Sequence, residues 1–122
     1  MYFHRLTPLT VITAIFLTGV ALEPVAAQTV GLKQSVAQTS AADQVVMAFY
    51  KAREFQPFWT GNTAQERARL TGLIGAFSDA GLHGLPVAKF NVDRLITKIR
   101  NAKTLADLGQ LDVELTTEFL RY

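Results

Sequence analysis

The chain has 122 residues, of which 49% are apolar and 18% are charged, and it contains no cysteine. This length accommodates one domain, and the composition is that of a globular rather than a disordered protein. The lack of cysteine excludes disulfides, a thiolate nucleophile and thiolate metal ligands. Twelve basic and ten acidic residues give a net charge of +2, which is too small to indicate a nucleic-acid partner.

The first 27 residues have the pattern of a secretory signal peptide. A weakly positive start that includes Arg5 precedes an uncharged, largely apolar run over residues 9–22. As a helix this run would rise about 21 Å, which is short of the roughly 30 Å hydrocarbon core of a membrane. Residues 25–27, Val-Ala-Ala, place small side chains before a cleavage position at Gln28. We therefore expect export to the periplasm, and the alternative is an uncleaved segment that anchors the chain in the membrane and faces the periplasm.

The remainder divides into a short polar segment and a helical domain. Residues 28–40 are polar and show no sustained period, so the sequence predicts a linker. Apolar residues at helical spacing predict an all-α domain over residues 41–122, a small bundle of about four helices with an aromatic-rich loop.

The first predicted helix covers about residues 41–54, with Ser40 as its N-cap. The aromatic-rich loop follows over residues 55–62, FQPFWTGN. Pro57 prevents the helix from continuing through this segment. The clustered aromatic side chains are expected to fold back onto the helices, with Trp59 largely buried.

The second predicted helix has clear start and stop signals. Thr63 and Glu66 have the spacing of a capping box. The helix is predicted to end one residue before Gly81, because glycine tolerates the positive φ of a C′ position. Leu82 would then pack against Phe77 at the end of the helix.

Two more helices are predicted in the last third of the chain. Asn91 can cap a helix over about residues 92–101, and Thr104 with Asp107 can form a capping box for the last helix. The apolar stripe of that last helix consists of Leu108, Leu111, Leu115, Phe119 and Tyr122. Because the stripe continues to the last residue, we expect an interrupted domain in which part of the stripe lacks cover and residues 114–122 are frayed or sticky.

No pattern in the sequence indicates catalysis, a cofactor or a metal. His83 is the one histidine outside the signal segment, and one histidine with scattered carboxylates does not form a zinc site. Ser78 and Asp79 lie near it in sequence, but catalytic triads are recognised by geometry rather than by sequence proximity. A histidine between two glycines favours a bond to a nearby backbone carbonyl over a ligand or catalytic role.

The most basic stretch is interpreted as the solvated side of the third helix rather than as a binding site. Its charges spread around the helix instead of lining one face. The alternative is a contact with an anionic polymer or with lipid head groups. The residues concerned are Lys89, Arg94, Lys98, Arg100 and Lys103.

Three short blocks together resemble a known family. The first fits the pattern Y-x-x-R-x-[FY]-x-P-x-W and consists of Tyr50, Arg53, Phe55, Pro57 and Trp59. Residues 80–85, AGLHGL, resemble an A-x-x-HGL turn, and residues 111–122, LDVELTTEFLRY, resemble a helix of the form ELD-x-x-LT-x-x-FLRY. In this order the blocks are typical of the N-terminal scaffold domain of large periplasmic murein L,D-transpeptidases, which the chain resembles over residues 45–122.

The resemblance implies a helical scaffold that packs beside a catalytic domain. In that family the catalytic domain lies far downstream and uses a cysteine in an SHGC motif, often after a peptidoglycan-binding module. Cross-linking requires a thiolate that attacks a stem-peptide carbonyl, and this chain has no cysteine. The expected function is therefore a non-catalytic scaffold module, associated with peptidoglycan cross-linking through a missing or separate catalytic domain, with that domain or peptidoglycan as partner.

An alternative is an independent exported interaction protein that binds a partner or ligand through its aromatic loop. For either function the sequence predicts no catalytic, cofactor-binding or metal-binding residue. The candidate structural or interaction residues are Tyr50, Arg53, Pro57, Trp59, His83 and Phe119.

Overall fold

The structure, a computed structural model, describes residues 25–86 and 89–122. Helices dominate both segments, and neither contains a strand, so the predicted all-α class is confirmed. The elements are α1 (Val25–Ser40), α2 (Gln44–Lys51), α3 (Ala64–Ser78), a 3-10 helix (Ala80–His83), α4 (Val92–Asn101) and α5 (Leu105–Arg121).

Most of the predicted signal peptide, residues 1–24, lies outside the described residues. Among the helices that the structure describes, none combines the length and the apolar character needed to cross a membrane.

The segment that the sequence predicted as a linker is helical, so that prediction is wrong. α1 packs against α5, and its buried residues Leu32, Val36 and Ser40 are spaced four apart. Two apolar side chains and one serine form too narrow a stripe to stand out in a polar sequence. Helices of this kind are stabilised mainly by tertiary packing, and the partner surface here lies some seventy residues further along the chain.

Glycine allows α1 and α5 to approach closely. A Cβ on Gly109 would collide with Ser35, whose carbonyl carbon would lie 3.0 Å away. The Ser35 hydroxyl donates to the carbonyl of Ala106 across 3.3 Å. A Cβ on Gly31 of α1 would likewise come too close to the Leu105 side chain of α5, at 2.7 Å. Glycine has a low helix propensity, but Gly109 allows α1 to pack closely against α5.

α2 begins three residues later than predicted, and its N-cap is Asp43 rather than Ser40. The Asp43 carboxylate accepts hydrogen bonds from the backbone N–H groups of Val45 and Val46 at 2.8 and 3.2 Å. Ser40 is buried at the end of α1, because that helix already occupies the residues from which the predicted helix was to start.

α2 also ends earlier than predicted, at Lys51. Glu54 and Phe55 follow with φ values of 53° and 58°, in the left-handed region that residues with side chains rarely adopt. Residues 52–54 are therefore a turn rather than the predicted end of the helix, and the chain enters the aromatic-rich loop through Glu54 and Phe55.

Three predicted helix starts are confirmed. Capping boxes are present for α3, with Thr63 and Glu66, and for α5, with Thr104 and Asp107. The Asn91 side chain caps α4 by accepting from the N–H of Arg94 at 3.0 Å. These signals are contained within four consecutive residues, which is why they can be recognised without the tertiary structure.

The predicted end of the second helix is wrong in detail. α3 ends at Ser78, and the chain continues as the 3-10 helix that contains Gly81. The left-handed glycine is Gly84, with φ of 74°. Leu82 is 84% exposed and does not pack on Phe77, because the 3-10 turn moves the stop three residues downstream.

The interior has two apolar clusters, and α5 contributes to both. Leu111 and Leu115 belong to the larger cluster with Trp59 and Phe77. Val113 belongs to the smaller cluster, which joins α1 and α2 to α5. The stacked rings of Phe77 and Phe90 lie 4.8 Å apart in the larger cluster. α5 is therefore the central helix of the domain.

We expect Gly109→Ala to lower the free energy of unfolding by about 1–3 kcal/mol, because overpacking against α1 outweighs the gain of up to about 1 kcal/mol in helix propensity. Gly75→Ala in α3 is the matched control, since its Cβ would meet nothing within 4 Å. The control should be neutral or slightly stabilising. Urea unfolding monitored by tryptophan fluorescence measures both, and equal stability of the two variants would contradict the close packing.

Candidate functional site

A buried carboxylate on α5 holds the aromatic-rich loop in place. Asp112 is fully buried and accepts the backbone N–H groups of Phe58, Trp59 and Thr60 at 2.8–3.1 Å. The Thr60 hydroxyl donates to it at 2.9 Å, and the Tyr50 hydroxyl donates at 2.6 Å. Three successive backbone donors of the loop thus converge on one side chain of the central helix.

A second set of hydrogen bonds extends this network through Thr116. The Trp59 indole N–H donates to the Thr116 hydroxyl at 2.9 Å, and that hydroxyl lies 2.6 Å from the Tyr50 hydroxyl. An indole can only donate, and Tyr50 donates its own proton to Asp112, so the Thr116 hydroxyl must donate to the Tyr50 oxygen. The hydrogen bonds therefore all point the same way: Trp59 donates to Thr116, Thr116 donates to Tyr50, and Tyr50 donates to Asp112.

The four residues Tyr50, Trp59, Asp112 and Thr116 are buried, and their polar side-chain atoms all have hydrogen-bond partners. In the described part of the chain, no buried side-chain nitrogen or oxygen lacks a hydrogen-bond partner. Burial raises the pKa of the Tyr50 phenol well above its ordinary value, and the adjacent Asp112 raises it further. Tyr50 is therefore a proton donor within the fold, and this arrangement fits a structural role rather than a catalytic one.

Two of the sequence blocks form the two halves of this network. Tyr50 and Trp59 come from the first block, and Asp112 and Thr116 come from the last. Tyr50 and Trp59 are among the residues that the sequence patterns indicate, whereas Asp112 and Thr116 are not. The available signal was a pair of polar residues four apart, interleaved with Leu111 and Leu115 on α5, a helix whose apolar stripe was otherwise clear.

The remaining candidate residues lie outside this polar network. The guanidinium of exposed Arg53 lies 3.8 Å from the centre of the Phe49 ring, and Pro57 is half-buried in the loop. Phe119 is 41% exposed. His83 is exposed at the end of the 3-10 helix, and no hydrogen bond links its side chain to the residues described in the structure.

Nothing in the described geometry assembles a catalytic or metal site. Ser78 donates its hydroxyl proton to the Ile74 carbonyl at 2.9 Å and is not bonded to His83. Within residues 25–86 and 89–122, no group of three His, Cys, Asp or Glu side chains could hold a metal ion.

The basic stretch is partly neutralised. Glu114 of α5 pairs with Arg94 at 2.8 Å and with Lys98 at 2.6 Å, both on α4. These pairs are partly exposed to solvent, so their contribution to stability is small.

An apolar groove of about 360 Å³ lies between α3 and α5, beside the aromatic-rich loop. Its lining includes Phe58, Arg69, Gly72, Ala76, Phe119 and Tyr122. Phe119 and Tyr122, the last two residues of the predicted apolar stripe, are each 41% exposed. An open apolar groove of this kind is a candidate interaction surface.

We expect Asp112→Ala to lower the free energy of unfolding by about 3 kcal/mol or more, because it leaves three backbone N–H groups and the Tyr50 hydroxyl without their acceptor. Gln110→Ala, at an exposed position of the same helix, should change it by less than about 0.5 kcal/mol. Urea unfolding measures both variants. Similar losses in the two would show that the network does not hold the loop.

The raised pKa of Tyr50 predicts a loss of stability at alkaline pH. Above about pH 10 the unfolded chain releases the phenolic proton while the folded chain retains it. The free energy of unfolding therefore falls as the pH rises. Tyr50→Phe removes this group, so its decline between about pH 8 and pH 11 should be shallower than that of the wild type. Parallel curves in urea titrations across this range would contradict the assignment.

A protein-family model described as "Scaffold domain" matches residues 44–122. No curated protein and no solved structure matched the chain. The matched range begins with α2 and includes the whole Tyr50–Asp112 network and the 3-10 turn, whereas α1 precedes it. The match is consistent with the scaffold domain of L,D-transpeptidases that the three sequence blocks resemble. Since it covers well over half of the chain, the protein belongs to the scaffold-domain family.

Proposed function

We propose that this protein is a non-catalytic scaffold module that supports peptidoglycan cross-linking through a missing or separate catalytic L,D-transpeptidase domain. Family membership over residues 44–122 supports the scaffold role, and scaffold domains are generally non-catalytic. The sequence has no cysteine to form the acyl-enzyme that this chemistry uses.

The observation that carries the proposal is the inward direction of the polar network. The polar side chains of Tyr50, Trp59, Asp112 and Thr116 bond to one another or to backbone donors of the loop. All four residues are buried, so none of them offers a polar group to a substrate. The surface of the fold includes an open apolar groove, and such a groove suits contact with another domain.

The proposal includes export, which the apolar run over residues 9–22 and the small residues that follow it support. Cleavage before Gln28 would fall within the first turn of α1. The buried residues Leu32, Val36 and Ser40 would remain in the processed chain. The packing of α1 on α5 is therefore compatible with a mature protein that begins at Gln28.

Binding of a ligand by the aromatic-rich loop itself is less favoured. Trp59 is 4% exposed, and its indole N–H is bonded to Thr116. The backbone donors of residues 58–60 are likewise directed at Asp112. Phe58 and the buried Trp59 are the loop residues that line the open groove, and Phe58 is the more exposed of the two.

The test is a reconstitution with the L,D-transpeptidase catalytic domain encoded in the same genome, expressed separately. We expect the purified protein to bind this domain in calorimetry and to increase the cross-linking of isolated murein sacculi by it. The protein alone should leave the muropeptide profile unchanged. Absence of binding, or cross-linking by the protein alone, would contradict the proposal.

A further inference from the structure

We infer that the groove between α3 and α5 is the surface on which the catalytic partner docks, and that it receives a helical segment carrying a bulky apolar side chain with a carboxylate about one turn away. This inference rests on the proposed function and specifies the chemistry of the contact.

The side chains that line the groove are mostly apolar, so they favour an apolar occupant. Trp59 and Leu73 are buried beneath it, and the rings of Phe58 and Phe119 border it. The Trp59 and Phe119 rings meet edge to face with their centres 5.5 Å apart. Bulky apolar side chains of a partner would bury this aromatic surface, as the anchors of protein interfaces commonly do.

Positive charge borders the groove at the Phe58 ring. The guanidinium of Arg69 lies 4.3 Å from the ring centre and that of Arg53 lies 5.2 Å from it. Arg69 donates to the Phe58 carbonyl at 3.3 Å, and Arg53 donates to the Phe49 carbonyl at 2.8 Å. Neither forms a salt bridge with an acidic residue that the structure describes.

These two arginines determine the charge of the expected partner. A guanidinium has five N–H donors and can hold a carboxylate with two of them. With one hydrogen bond each to a backbone carbonyl, Arg53 and Arg69 keep donors for an acidic side chain. Electrostatic complementarity therefore favours a partner segment with Asp or Glu beside its apolar anchor.

The face of α3 along the groove leaves room for a partner backbone. Arg69, Gly72 and Ala76 are three and four residues apart, so they lie on one side of the helix. A Cβ added at Gly72 would meet no heavy atom within 4 Å. A partner helix can thus approach α3 closely here and still reach Arg69 one turn away.

The same features argue against two other occupants. The glycan and stem peptides of murein are polar, so they match an apolar groove poorly. A second copy of this chain in a two-fold symmetric dimer would place the same patch on both sides of the interface. The arginines of both copies would then lie in the same interface, and an excess of like charge disfavours such a contact.

A matched pair of substitutions on α3 tests the docking surface. Gly72→Trp fills the groove, whereas Gly75→Trp adds the same side chain at a neighbouring position with equally open surroundings that does not line the groove. The probe is the separately expressed catalytic L,D-transpeptidase domain. We expect Gly72→Trp to weaken its binding by about tenfold or more and Gly75→Trp to leave it unchanged.

A second pair tests the charge without filling the groove. Arg69→Glu should weaken binding of the same domain by about tenfold, and more at low salt, because it opposes the partner carboxylate. Arg67→Glu, on α3 but outside the groove, is the control and should have little effect. Circular dichroism spectra and urea midpoints like those of the wild type establish that each variant is folded. If either tryptophan variant does not fold, the Arg69→Glu and Arg67→Glu pair tests the docking surface.

The outcomes separate this inference from the proposed function. If the wild type binds the catalytic domain and the groove variants bind it equally well, the docking surface lies elsewhere and the scaffold function stands. If the wild type does not bind it, the proposed function fails as well. Two further outcomes would overturn the inference, provided that binding of the catalytic domain is unchanged in Gly72→Trp. If the wild type forms a dimer in sedimentation velocity and this variant does not, the groove is a dimer interface. If this variant loses binding to murein sacculi, the groove is a murein-binding surface.

Discussion

The buried carboxylate of Asp112 has to be satisfied inside the protein, and the described structure is organised around that requirement. A carboxylate out of contact with water is costly unless it accepts several hydrogen bonds. Here the donors come from a loop some fifty residues earlier in the chain and from Tyr50 of α2. Satisfying one side chain therefore brings α2, the aromatic-rich loop and α5 into a single arrangement, and it places Trp59 in the core.

The central position of α5 follows from the same arrangement. One side of this helix carries the network and the larger apolar cluster, and another packs against α1 and α2. Gly109 makes the α1 contact possible by leaving space for Ser35. Near the end of α5, Phe119 and Tyr122 line the open groove.

This division between a polar interior and an apolar open groove is consistent with a scaffold and unlike an active site. Active sites place titratable groups where a substrate can reach them, whereas Asp112 and Tyr50 are sealed in the core. Arg69 lines the groove, and Arg53 lies near it, with its guanidinium 5.2 Å from the centre of the Phe58 ring. A guanidinium can hold a carboxylate with two parallel hydrogen bonds.

Local sequence signals determined much of this fold. The capping boxes at Thr63 and Thr104 act within one turn of helix, so the sequence predicted both starts correctly, and clustered aromatics predicted the burial of Trp59. The tertiary structure alone decided the elements that depend on distant partners. α1 is helical because α5 covers its narrow stripe, and the cap of α2 moved to Asp43 for that reason. Asp112 became the centre of the site only when the fold brought the loop donors to it, since hydrogen bonds between residues so far apart leave no periodic or local trace in a sequence.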